Sequence, residues 1–131
     1  KLGLNKKINW NGTLTQDEIL KFYKESDIFV LASKVTLSGD RDGMPNVLME
    51  AQSQGLACIS TSLPSIEELI INNISGILVE SESVNELKEA IIELINNPIK
   101  RKKFGLEGQK RLKENFSMHY GIEKIAKLLL K

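Results

Sequence analysis

The 131-residue sequence lacks most features that would place it in a special class. It has one cysteine, Cys58, so no disulfide can form within the chain, which suits the cytoplasm. No apolar run approaches the roughly 18 residues that a membrane span needs, and no apolar segment follows Lys1 in the manner of a secretory leader. An excess of one charge is missing too. With 18 Lys and Arg against 17 Asp and Glu the formal net charge is +1, so no global field argues for nucleic acid or an acidic partner. No acidic cluster has metal-ligand spacing, and His119 is the single histidine, so no metal site is expected. Internal repeats and low-complexity linkers are also absent. What remains is a chain of about one domain, long enough for a core of its own. It opens in mid-pattern without an initiator Met, and we therefore expect a piece of a longer protein.

In chain order, Lys7, Ile8, Asn9 and Trp10 read as a short strand turned at Asn11 and Gly12. Thr15 and Glu18 have capping-box spacing, and Ile19, Leu20, Phe22 and Tyr23 supply apolar positions for a helix to about residue 25. The apolar run at 27–31 suits a buried parallel strand, and a polar loop follows at 33–39. Residues 57–60 and 76–79 read as further strands, with a short helix at 64–71 between them. Strands alternating with helices predict an α/β fold: a Rossmann-like, doubly wound parallel sheet with helices on both faces. The last third is helical. Ser83 with Glu86 makes a second capping box ahead of a stripe of Leu87, Ala90, Ile91, Leu94 and Ile95. Asn97 and Pro98 end that helix and start the next, and Ser117 caps a helical tail carrying Ile122, Ile125, Leu128 and Leu129. Cys58 falls in a strand and reads as a small core residue.

The stretch at 41–55 carries the chemistry. Asp42, Gly43, Met44 and Pro45 form a loop that becomes a short helix, and Gly55 can end it as the residue past the C-cap. At the helix start, the N–H groups of Asn46, Val47 and Leu48 point outward, where the dipole favours an anion such as phosphate. Asp42 lies before that helix and Glu50 one turn along the face begun by Asn46. Carboxylates beside a phosphate make sense when their partners are neutral hydroxyls, and a sugar nucleotide supplies both groups. Plainer readings stand beside this one. Glu50 can be a solvent-facing acid, Asp42 and Gly43 turn residues, and Asn46 a helix cap.

The segment from Asp42 to Glu50, with Ala51 and Gly55, resembles the E-x(7)-E region of retaining glycosyltransferases of family four, in the variant with G-M-P-N-V-L at its centre. Ser65, Ile66, Glu67, Glu68, Leu69 and Ile70 resemble the family's G-I-P-E-V-I turn, and Ser75, Gly76, Ile77, Leu78 and Val79 its N-G-L-L-V strand. The likeness extends from Asn9, Trp10, Asn11 and Gly12 to Asn115, Phe116 and Ser117. It implies that residues 1–131 are the donor-binding, C-terminal half of a GT-B fold. Glu50 is then assigned to the ribose hydroxyls and Asp42 to the donor sugar, the two acids counted as catalytic. Gly43, Met44, Pro45, Asn46, Val47 and Leu48 line the donor, and Gly12, Thr13 and Leu14 form the base-contacting loop. Two departures matter. Asp42 stands where the pattern usually has Glu, one methylene longer, and Pro45 lacks the N–H that a glycine offers in the common form.

The resemblance further implies transfer with retention from a nucleoside diphosphate sugar, most simply a UDP-sugar, to an acceptor hydroxyl in polysaccharide or glycolipid biosynthesis. No cofactor or metal is implied. The diphosphate-binding Arg and Lys and the acceptor domain belong upstream of this chain, so the piece alone is expected to bind nucleotide weakly without turnover. The acceptor is a glycan or lipid-linked glycan, and the location is cytoplasmic or peripheral at the inner face of a membrane. Lys100, Arg101, Lys102 and Lys103, with Lys110, Arg111 and Lys113, can touch anionic lipid or form a solvated face diluted by Glu107 and Glu114. Glu68 is assigned a structural role. A non-catalytic nucleotide-binding or scaffold module and a nucleotide-sugar hydrolase or epimerase remain as rivals.

Overall fold

Three short parallel strands, β1 (Ile28–Leu31), β2 (Ala57–Thr61) and β3 (Ile77–Val79), lie side by side in chain order in a computed structural model that describes residues 3–35, 45–117, 125–127 and 129. The register sets Phe29 beside Cys58 and Ile59 beside Ile77. Five named helices accompany the strands: α1 (Gln16–Glu25), α2 (Asn46–Ser53), α3 (Pro64–Leu69), α4 (Val84–Asn96) and α5 (Pro98–Asn115). Residues 125–127 and 129 are helical as well, while the capping expected of Ser117 concerns positions outside the described residues, as does His119.

Side chains on a strand alternate between faces, and here the alternation divides the core in two. Cys58, with Phe29, Leu31 and Leu78, meets Tyr23 of α1, Leu48 and Ala51 of α2, and Ile66 and Leu69 of α3. Ala57, Ile59, Ile77 and Val79 point the other way and meet Ala90 and Leu94 of α4 and Phe104 of α5. The α/β class, the parallel sheet and the helices on both faces are those expected from the alternation of elements.

Several local readings hold atom by atom. Thr15 accepts from the Glu18 N–H at 3.4 Å while the Thr15 N–H donates to Glu18 Oε2 at 2.8 Å, completing the capping box. That backbone bond holds the Glu18 carboxyl below its ordinary pKa. Asn97 caps α5 through the Lys100 N–H, with Pro98 at the first helical position. Gly55 has a φ of 75°, its N–H donates to Gln52 O at 3.0 Å, and the Leu56 N–H donates to Ala51 O at 3.2 Å. This pair of bonds satisfies the last carbonyls of α2 and turns the chain into β2.

Other readings are corrected. Residues 7–10 form no strand, since a strand exists through its ladder and no described neighbour pairs with this segment; a 3-10 turn at Leu4–Lys6 precedes it and Trp10 is 89% exposed. The Ser83 box is half made: Ser83 accepts from the Glu86 N–H, but the Glu86 carboxylate turns to the Glu80 N–H at 2.8 Å. Helix α3 stops at Leu69 instead of 71, because the Ile71 N–H goes to Ser75 Oγ at 2.9 Å. Ile95 leaves the expected apolar stripe and is 57% exposed, since it lies to the side of the face that Ala90 and Leu94 bury. In β1, Val30 is 39% exposed, so the run read as a buried strand is an edge of the described sheet.

Helix α5 ties the two cores together. Its Phe104 belongs to one cluster, its Leu112 packs on the other, and between them Gly105 passes the backbone that joins α2 to β2. A Cβ on Gly105 would come within 2.0 Å of the Gly55 carbonyl oxygen and 3.6 Å of the Ala57 nitrogen. The Gly105→Ala substitution is therefore expected to lose about 1–3 kcal/mol to overpacking, against a helix-propensity gain of at most about 1 kcal/mol. A lowered midpoint in thermal unfolding checks this, and an unchanged or raised midpoint contradicts it.

Burial also pushes the Cys58 thiol from 9.0 up to about 12. The folded chain keeps a proton that the unfolded chain releases near pH 9, so this contribution to stability is complete below pH 9 and lost as pH rises towards about 12. Urea unfolding across that window should show a steeper alkaline loss for the parent chain than for Cys58→Ala; equal slopes would contradict the assignment.

Candidate donor site at the carboxyl edge of the sheet

In a β-α-β unit with parallel strands the helix runs back against the strands, so its first turn sits beyond the carboxyl ends of the sheet. Helix α2 links β1 to β2 in this way, and the α1 start likewise lies at that end, since α1 leads directly into β1. Both pack on the same face of the sheet. Topology thus brings the loop at 12–14 and the start of α2 at 45–48 to one end of one face.

The individual residues fall unevenly there. Gly12, with a φ of 64°, and Thr13 are exposed, and Leu14 is half-buried ahead of the Thr15 cap. Asp42, Gly43 and Met44 lie outside the described residues. Pro45 holds the N-cap position of α2 with a φ of −67°, which leaves Asn46 as the first helical residue instead of the cap. The Pro45 carbonyl accepts from the Leu48 N–H at 3.1 Å and the Met49 N–H at 3.3 Å. Leu48 therefore offers no free N–H, contrary to the expectation above, and its side chain is fully buried. Asn46 and Val47 keep backbone N–H groups with no partner among the described residues, and both residues are exposed. The helix tip thus offers two amides for an anion, not three.

Glu50 is half-buried one turn further in. The Tyr23 hydroxyl reaches it from α1, 3.4 Å from Glu50 Oε2 and 3.4 Å from the Val47 carbonyl oxygen. One phenolic proton serves these two acceptors, so each bond is shared and weak. Glu50 Oε1 has no partner among the described residues. Among the described residues, Glu50 is therefore neither a freely solvated acid nor one consumed by an ion pair. Burial holds the Tyr23 hydroxyl above its ordinary pKa of 10.0, and the Glu50 carboxylate adds to this by its charge and its hydrogen bond. Tyr23 entered the sequence reading only as an apolar position of α1; no signal in the chain marks its hydroxyl, because the contact joins residues 27 positions apart.

The strand ends add a second feature. Ala32, Lys34, Thr61, Val79, Ser83 and Leu87 are among the walls of a cleft of about 130 Å³, at whose rim Lys34 Nζ lies 3.5 Å from Glu82 Oε1. Thr61 Oγ1 donates to the Ser33 carbonyl at 2.6 Å and Ser60 Oγ to the Leu31 carbonyl at 2.8 Å, so the chain leaving β1 is fastened to the end of β2. Among the described residues no group of three or more His, Cys, Asp or Glu could hold a metal ion, and no helix is long and apolar enough to cross a membrane. Glu68 is exposed, and its carbonyl accepts from Arg111 at 2.6 Å, a contact made by backbone instead of carboxylate.

Comparison with known proteins bears on what this edge does. Residues 1–111 match the family model described as glycosyl transferases group 1. The amylovoran biosynthesis glycosyltransferase AmsK of Erwinia amylovora is 30% identical over 118 residues, covering 90% of this chain and 29% of the relative. Among solved structures, the C-terminal domain of the group 1 glycosyl transferase LpcC from Francisella tularensis superposes with a TM-score of 0.76 at 26% identity, over 88% of this chain and 57% of that one. Anabaena Alr3699/HepE, solved with UDP-glucose, gives 0.82 at 20% identity, over 98% of this chain and 33% of its own, a likeness of fold. The chain spans about three tenths of the length of the curated relatives it matches.

The Tyr23–Glu50 contact can be checked by titration. Tyrosinate absorbance should show one tyrosine ionising above the ordinary value, and Glu50→Gln should bring that midpoint down part of the way, since burial, the larger cause, stays. A midpoint indifferent to Glu50→Gln would place the two groups out of contact.

Proposed function

The chain belongs to the group 1 glycosyl transferases, and from that premise we propose that it is the donor-binding part of an enzyme that moves a sugar from a nucleoside diphosphate sugar to an acceptor hydroxyl, with retention at the anomeric carbon. The acceptor is proposed to belong to polysaccharide or glycolipid biosynthesis, in keeping with relatives named as a capsular polysaccharide biosynthesis glycosyltransferase and a phosphatidylinositol monomannoside mannosyltransferase. The acceptor is proposed to be bound by parts other than these 131 residues, which span about three tenths of the curated relatives they match.

The observation that carries this reading is Glu50, half-buried, one oxygen shared with Tyr23 and the other unpartnered among the described residues, one turn behind two unpartnered amides. An ionised carboxylate accepts hydrogen bonds only, so its fitting partner is a neutral donor such as a ribose hydroxyl. The Asn46 and Val47 amides suit a phosphate oxygen, and the positive end of α2 favours that charge. In the transfer step the diphosphate gains negative charge as the glycosidic C–O bond breaks, and amides fixed in place before the reaction stabilise that charge without reorganising. Glu50 contributes by orientation, holding the nucleoside so that the diphosphate meets the helix tip. Asp42 is proposed to meet the donor sugar, and Gly12, Thr13 and Leu14 the base. UDP-sugar is the proposed donor.

Calorimetry with UDP, on the chain as it stands and on Glu50→Ala, tests the proposal. A charge-assisted hydrogen bond is worth about 1.5–3 kcal/mol, so the substitution should weaken binding about 10- to 100-fold. Equal affinity in the two proteins removes Glu50 from the site. Weaker binding of GDP and ADP than of UDP supports the choice of base, and the reverse order corrects it without touching the role of Glu50.

A further inference from the structure

Outside the candidate site, the outer face of α5 is the feature the fold leaves unexplained. Phe104, Gly105 and Gly108 are buried and fix the inward side of this helix. On the opposite side, at helical spacing, stand Ile99, Lys102, Lys103, Leu106, Lys110 and Lys113, all exposed. Ile99 is 84% and Leu106 57% exposed, and Ile95 at the end of α4 is also 57% exposed.

The cations of α5 fall into two groups. Lys100 pairs with Glu93, Arg101 donates to the Leu94 carbonyl at 2.8 Å, and Arg111 donates to the Leu69 carbonyl at 3.0 Å, so these three brace the fold. None of Lys102, Lys103, Lys110 and Lys113 forms an ion pair among the described residues. The acids Glu107 and Glu114 lie to one flank of the lysine face instead of within it.

A solvated face or a nucleic acid backbone would use the lysines alone, whereas here Ile99 and Leu106 stand among the lysines on one face. A bilayer uses both kinds of side chain. Apolar groups enter the boundary between headgroups and acyl chains, while lysine stems lie along it with their ammonium groups at the phosphates. We propose that the outer face of α5 seats this chain on an anionic lipid surface. The proposal is independent of the transferase reading and survives or fails separately from it.

Co-sedimentation of the purified chain with vesicles tests it, comparing phosphatidylglycerol in phosphatidylcholine with phosphatidylcholine alone. The expected result is binding to the anionic vesicles only. Each lysine near such a surface contributes about a fivefold gain in partition, so the triple variant Lys102→Glu, Lys103→Glu, Lys110→Glu should bind at least about a hundredfold more weakly. The double variant Ile99→Ser, Leu106→Ser should also bind more weakly and lose the part of binding that resists added salt. All five positions are exposed, and an unchanged thermal midpoint confirms that the variants stay folded. Equal binding by the parent and either variant, equal binding to both vesicle types, or binding to an RNA duplex in place of vesicles overturns the proposal.

Discussion

The close passage of α5 over the α2–β2 junction is the constraint on which the arrangement depends. Gly105 lets two backbones meet where any side chain would collide with the Gly55 carbonyl, and Gly55 itself is past the end of α2 in the left-handed conformation. Gln109 adds a hydrogen bond from its side chain to the Ser53 carbonyl at 2.9 Å. These contacts fix the carboxyl end of α2. A helix of eight residues is nearly rigid, so fixing one end aims the other, and the amino end of α2 is where the Asn46 and Val47 amides, unpartnered among the described residues, emerge. A contact at the amino edge of the sheet thereby sets geometry at the carboxyl edge.

Glu50 is held by a different element. Tyr23 is near the end of α1, packs edge-on against Phe29 of β1 with ring centroids 5.8 Å apart, and sends its hydroxyl to α2. The ring is buried by apolar neighbours and the hydroxyl is the polar end that must find an acceptor. Two acceptors at the long end of the hydrogen-bond range meet that need without locking the carboxylate. A short ion pair would have held Glu50 more firmly, but it would also have neutralised the acceptor that the proposed hydroxyl ligand would need. A weak phenol contact restricts the rotamer and leaves the charge in place.

How much of this was legible in the chain follows from the range of each interaction. The caps at Thr15 and Asn97, the end of α2 at Gly55 and the alternating apolar runs of the strands depend on residues a few positions apart, and their patterns appear directly in the sequence. The misreadings have separate causes. Residues 7–10 have a strand's composition but lack a partner among the described residues, and a ladder cannot be read from one strand alone. Glu86 has box spacing, yet the Glu80 N–H competes for its carboxylate once β3 brings that residue near. Asn46 looked like a cap because its type is right, whereas Pro45, with its fixed φ, sits one position earlier and takes the role. At the candidate site, motif resemblance singled out Glu50, but its Tyr23 contact and the Leu48 amide taken up by Pro45 are visible only in the structure.

The lysine face and the donor edge point to opposite ends of the molecule, and this has a consequence for how they coexist. Gly105 and Gly108 place the inward side of α5 against the amino end of β2 and against α2, so the outward side faces away from the sheet there. The amides of α2 and the loop at 12–14 lie at the other end, beyond the strand carboxyl termini. A net charge of +1 means that the lysines act locally, within a Debye length of about 8 Å, instead of as part of a field covering the whole chain. An anionic surface drawn to α5 therefore neither covers the helix tip nor competes with a nucleotide for its amides. On the two proposals made above, the ends would draw anions by different means: mobile ammonium groups on long stems at one end, fixed backbone dipoles at the other. Fixed dipoles select by geometry and a small rigid phosphate can meet them, whereas flexible cations suit the laterally mobile charges of a membrane.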